Sequence, residues 1–80
     1  MGNRLAVVAL IISDADAVEK VNALLHDFSG YIIGRLGLPY KQKEICVITV
    51  VLDASQEVIN SLSGKLGMIN GVTSKVMLTK

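Results

Sequence analysis

Ile45-Cys46-Val47-Ile48-Thr49-Val50-Val51-Leu52 is an apolar block broken only by Thr49, and Leu5-Ala6-Val7-Val8-Ala9-Leu10-Ile11-Ile12 is a second block of the same length. Both are short and rich in β-branched side chains, which favours strands over helices. A strand points successive side chains to opposite faces, so a block that is apolar at both parities asks for cover on both sides of its sheet. These two segments are read as the central strands.

The segments around them supply the rest of the fold. Ser13-Asp14-Ala15-Asp16 offers several N-cap candidates, and Asp16 stands three residues before Glu19 at the spacing of a capping box. Val18, Val21, Leu24, Leu25 and Phe28 then fall on one helical face. Ser29-Gly30 closes that helix, with Gly30 expected as a left-handed cap. Tyr31 to Leu38 is a second strand, weakened by Gly34 and Gly37 and ended by Pro39. Two glycines and a proline predict an edge strand with a bulge or bend.

Lys41-Gln42-Lys43-Glu44 is the polar turn before the third strand, and Asp53-Ala54-Ser55 provides caps for a second helix. Its stripe is Val58, Ile59, Leu62 and Leu66. Gly67 and Asn70-Gly71 are turn signals, and Val72, Ser74, Val76 and Leu78 alternate with Thr73, Lys75, Met77 and Thr79, which suggests a half-exposed strand.

This order, βαββαβ, predicts an α+β, ferredoxin-like sandwich, with a four-stranded antiparallel sheet and two helices on one face. The expected unit is one domain spanning residues 1–80. Two helices cover one face, and the chain has no third layer for the other. Leaving about seven aliphatic side chains wet would forgo on the order of ten kcal/mol, which is comparable with the whole stability of a small domain. The open face is therefore expected to meet a second copy of the chain, sheet against sheet, in a dimer or tetramer.

Composition narrows the function. A 51% apolar share is enough for a core, and eight Lys and Arg against seven Asp and Glu leave no broad basic face for nucleic acid or membrane. One cysteine and one histidine exclude a disulfide framework, a multi-thiolate zinc site and a His-rich cage, and they fit a cytoplasmic setting. Arg4, the apolar run and Ala15-Asp16-Ala17 resemble a signal peptide in outline. Cleavage there would remove the first strand, so that reading is set aside.

Few residues carry candidate chemistry. Arg35 is the only charge inside the second strand and, with Gly37 and Tyr40 nearby, is expected at a ligand site or subunit boundary. The competing role is an edge charge that blocks aggregation. His26 projects from the polar side of the first helix and is a weaker candidate for a boundary or metal ligand. Cys46, on an apolar central strand, reads as a small hydrophobe. Ser63-Gly64-Lys65 fails as a phosphate loop, since Ile59 stands where the first glycine belongs and Leu66 where Ser or Thr belongs. No base–acid pair is visible, so no enzyme activity and no cofactor are expected.

Asn22-Ala23-Leu24-Leu25-His26-Asp27-Phe28-Ser29, Arg35-Leu36-Gly37-Leu38-Pro39, Leu62-Ser63-Gly64-Lys65-Leu66-Gly67 and Gly71-Val72 together resemble a family of small stand-alone proteins described as regulators of the iron-only hydrogenase system. The likeness runs from Arg4 to the end of the chain. That family is similar in fold to ACT domains and to the C-terminal, metal-sensing domain of nickel-responsive regulators. The resemblance implies a non-catalytic regulatory domain that assembles through its sheets and responds to a small effector or a protein contact. An ACT-like amino-acid or metal sensor is the alternative.

Compared with nickel regulators, Cys46 stands at the position of the metal-ligating cysteine, which implies a place on the open sheet face. Leu38 and Tyr40 occupy the His-x-His positions, and His26 approximates the histidine that a neighbouring subunit contributes. The DNA-binding ribbon-helix-helix arm of those regulators has no expected counterpart, because the first strand begins near Arg4. ACT amino-acid sites use a glycine in the first strand-to-helix turn, and Ile12-Ser13-Asp14-Ala15-Asp16 has none.

Overall fold

The computed structural model describes residues 2–79. Strand β1 (Arg4–Ile12) leads into helix α1 (Ala15–Asp27), then β2 (Ile32–Tyr40), β3 (Ile45–Ala54), α2 (Gln56–Gly67) and β4 (Val72–Leu78). The sheet order is β2-β3-β1-β4, and every neighbouring pair is antiparallel. The two apolar blocks lie at the centre, as their composition demands.

Register sorts the side chains, because directly opposed residues of an antiparallel pair share a face. Ala6, Val8, Leu10 and Ile12 of β1 oppose Leu52, Val50, Ile48 and Cys46 of β3. The first seven of these are buried under the helices, where they pack with Val21 and Leu25 of α1 and Ile59, Leu62 and Leu66 of α2. The other parity holds Leu5, Val7, Ala9 and Ile11 against Asp53, Val51, Thr49 and Val47. Among the described residues no helix covers that face.

Several local expectations change. The N-cap of α1 is Asp14, whose Oδ1 accepts the Asp16 N–H at 3.0 Å, so Asp16 sits in the first turn and does not open a capping box. The helix ends without a left-handed glycine. The Phe28 N–H donates to the Leu24 and Leu25 carbonyls, and Gly30 lies in a short 3-10 turn, Ser29–Tyr31. Among the described residues the glycine with positive φ is Gly71, at 84°.

Strand β2 runs two residues further than expected and includes Pro39, opposite Cys46. An edge strand tolerates proline because one row of its backbone groups faces no neighbour. The predicted bulge is present, between Ile32 and Gly34. Strand β3 likewise extends through Ala54, and Ser55 alone caps α2, its hydroxyl accepting the Val58 N–H at 3.3 Å.

Candidate functional site

Two surfaces stand out, and they meet at one end of the sheet. The first is the uncovered face. Register places Leu36, Leu38 and Tyr40 of β2 opposite Thr49, Val47 and Ile45, and Met77 of β4 opposite Val7. Leu36 and Met77 are each 67% exposed and Leu38 is 55% exposed. Charge enters this face through Asp53 on β3 and Lys75 on β4, the latter opposite Ala9.

The second surface is a cleft of about 350 Å³ at the start of α1, lined by residues from β1, α1, β2, β3 and the β2–β3 connection. Ile12, Val18, Pro39, Ile45 and Cys46 form its apolar part, and Asp14, Tyr40, Lys41 and Glu44 supply polar groups. The chain reaches this shape through two pinned turns. After β1, the Ser13 N–H and hydroxyl both donate to the Gly71 carbonyl, at 2.8 and 3.2 Å. After β2, residues Lys41–Lys43 make a 3-10 turn and Glu44 follows at φ 55°, its N–H donating to the Lys41 carbonyl at 3.1 Å. The Tyr40 hydroxyl donates to Gln42 Oε1 at 2.8 Å.

The residues singled out from the sequence do not converge. Arg35 opposes Val50, so it lies on the helix-covered side, and its Nη2 donates to Asn22 Oδ1 on α1. Gly37 opposes Ile48, with open space where a Cβ would stand. Tyr40 alone of that group lines the cleft. His26 is exposed in the last turn of α1, roughly 12 Å along the axis from Val18, the last cleft residue of that helix.

Cys46 is half-buried, opposes the buried Ile12 and packs against the core. The placement on the open face implied by the nickel-regulator comparison is thus corrected, since the parity of β3 turns the thiol toward the helices. Imidazole and thiol are far apart within one protomer. Among the described residues, no three His, Cys, Asp or Glu side chains are grouped to hold a metal ion. Asp14, Lys41 and Glu44 are the cleft residues that the sequence reading passed over as site candidates.

Residues 4–76 match the family described as "TM1266-like: Iron-only hydrogenase system regulator, putative". The chain belongs to this family. Among solved structures, TM1266 from Thermotoga maritima, itself described as uncharacterized, superposes with a TM-score of 0.93 at 35% identity, covering 98% of this chain and 99% of that one. A formyltetrahydrofolate deformylase from Pseudomonas putida KT2440 matches at a TM-score of 0.60 and 14% identity, with 92% of this chain lying over 28% of the enzyme. That second likeness is one of fold alone. No curated protein matches the chain.

For the TM1266-like family, then, this member has the βαββαβ fold with one face bare and one end indented. Among the described residues no helix is long and apolar enough to cross a membrane.

Proposed function

We propose that this TM1266-like chain is a non-catalytic regulatory module of an iron-only hydrogenase system and acts as a homo-oligomer paired through its open sheet face. The family description supports the regulatory part. The observation that carries the assembly is the amount of apolar surface left on that face.

Leu5, Ile11, Leu36, Leu38, Tyr40 and Met77 lie on it and are each at least 41% exposed. A contiguous apolar patch of this kind on a small protein marks an interaction surface. A second copy is the simplest cover, because an isologous pairing sets the same apolar patch against itself. The near absence of charge on the face favours such self-complementarity, since few ionic groups would lose water on contact.

Light scattering on the purified chain tests the assembly. The expected mass at low micromolar concentration is a multiple of 8.5 kDa. A well-folded lone protomer under those conditions would refute it. The regulatory part predicts that deleting the gene in the native host alters the amount or activity of the iron-only hydrogenase, and unchanged hydrogenase in such a strain would count against it.

A further inference from the structure

Asp53 and Lys75 are the two charged residues that strand register places on the uncovered face, one acid and one base. Both are exposed, Asp53 near the end of β3 and Lys75 in the middle of the edge strand β4. Within one chain they do not meet. Asp53 lies opposite Leu5, and Lys75 lies opposite Ala9, four residues further along β1. Strands β3 and β4 also flank β1 on opposite sides. At about 3.4 Å per residue and about 4.8 Å between strands, the two backbone positions stand about 17 Å apart. That is further than the two side chains reach together, even with the four-carbon lysine stem.

Register also fixes the point midway between them. Strand β1 runs between β3 and β4, and Val7 stands two residues from both Leu5 and Ala9, on the same face. In an isologous pair, residue i of one copy meets residue j of the other, and j meets i. A two-fold axis between stacked sheets, passing over Val7 at right angles to the line joining the charges, therefore carries each charge onto its opposite in the second copy. Leu36 lies in the row of Thr49 and Ala9, two strands from β1. On the same spacings, the line from Val7 to Leu36 crosses the line from Asp53 to Lys75 at about 90°. The axis thus runs over Leu36 as well.

We propose that two copies of the chain stack their open faces about an axis over Val7 and Leu36, with Asp53 of each copy paired to Lys75 of the other. This rests on the assembly proposed above and adds its orientation and the residues that fix it. The strands of the two sheets cross at about 70°, nearer the orthogonal than the aligned class of sheet packing. Leu36, 67% exposed in one protomer, meets its own counterpart and loses that exposure. Other orientations treat the charges worse. With the axis along or across the middle of the strands, Lys75 would lie over Leu36 or Met77, an ammonium set on an apolar side chain without a partner. Both ion pairs fall toward the rim, where charge sets register and partner choice more than affinity.

The test uses the full chain in sedimentation velocity at low ionic strength, over a dilution series. Lys75→Glu and Asp53→Lys each set like charges together at both rim sites, and each is expected to raise the dissociation constant about tenfold or more. The double variant, Lys75→Glu with Asp53→Lys, reverses both charges and is expected to return it to within about threefold of wild type. High salt should shrink the effect of the single variants. Both substitutions are at exposed positions, and circular dichroism separates lost assembly from unfolding.

A zero-length carbodiimide link gives a second readout on the wild-type chain. It joins a carboxylate to an ammonium in direct contact, and the spacing of Asp53 and Lys75 within one chain makes a link between them necessarily intermolecular. Mass spectrometry of the linked dimer is expected to recover that pair. The proposal is overturned by a double variant as weak as either single one, or by links between copies that join other acid–lysine pairs instead. A wild-type chain that sediments as a lone protomer would refute the assembly and this pairing with it. An assembled chain indifferent to both charge reversals would refute the pairing alone and leave the assembly standing.

Discussion

Gly71 abuts Asp14 so closely that a Cβ built on the glycine would lie 2.5 Å from the aspartate Cβ, and the glycine holds a φ of 84°. The contact joins the β1–α1 turn to the loop before β4, and the two hydrogen bonds from Ser13 to the Gly71 carbonyl close it. Gly71→Ala meets both a left-handed backbone, costing about 1–2 kcal/mol, and an overpacked junction costing about as much again. A domain of this size loses about 4–8 °C in Tm per kcal/mol, so thermal unfolding should fall by roughly ten degrees or more. Gly71→Asn separates the causes, since asparagine tolerates the backbone but keeps the Cβ. A Tm for Gly71→Asn equal to wild type would show that the contact does not matter.

The caps of α1 offer a second test. Asp14 Oδ1 takes the Asp16 N–H, and no capping bond from the Asp16 side chain occurs among the described contacts. Asp14→Ala keeps the Cβ that meets Gly71 and removes only the carboxylate, so it should cost about 1 kcal/mol. Asp16→Ala should stay within about 0.5 kcal/mol, the loss being that of one acidic group near the helix N-terminus. Urea denaturation of the two variants compares them directly. A larger loss for Asp16→Ala would return the cap to the position that its spacing with Glu19 suggests.

That pair also shows what the sequence could and could not disclose. Strand identity was readable in Leu5–Ile12 and Ile45–Leu52, because both are short, rich in β-branched side chains and bounded by turn and capping residues. The edge character of β2 was readable in Gly34, Gly37 and Pro39. The end of α1 was not, because a 3-10 turn through Ser29–Tyr31 replaces the left-handed cap that Ser29-Gly30 advertises.

The cleft left no local mark at all. Asp14 and Glu44 come together only after β3 pairs beside β1, and Glu44 adopts a positive φ without the glycine or asparagine that usually signals one. The side on which Cys46 falls was decided by register, which a single block of eight apolar residues leaves open.

Arg35 was the most conspicuous charge in the sequence, and its guanidinium is bound to Asn22 on the exposed flank of α1. An exposed bond of this kind contributes little, so Arg35→Ala and Asn22→Ala should each cost under about 1 kcal/mol. A double-mutant cycle should return a coupling of a few tenths of a kcal/mol. A coupling well above about 1 kcal/mol would show that the bond is shielded from water and holds β2 to α1.

The sharpest test of the bare face uses residues whose exposure makes opposite demands in the lone and the assembled chain. Leu36 and Met77 are each 67% exposed in one protomer, so Leu36→Lys and Met77→Lys should change its intrinsic stability by no more than about 0.5 kcal/mol each. In a sheet-to-sheet pair the same changes bury ammonium groups without partners, and symmetry introduces every one of them twice. The double variant should therefore keep its circular dichroism spectrum and sediment as an 8.5 kDa species, while the wild-type chain sediments as a multiple of that mass. Leu10→Ala, on the helix-covered side of β1, provides the contrast. It should cost about 2–5 kcal/mol through the cavity it leaves, and so unfold much of the protein without yielding a folded protomer. If Leu36→Lys with Met77→Lys sediments at the wild-type mass, the copies meet somewhere other than this face.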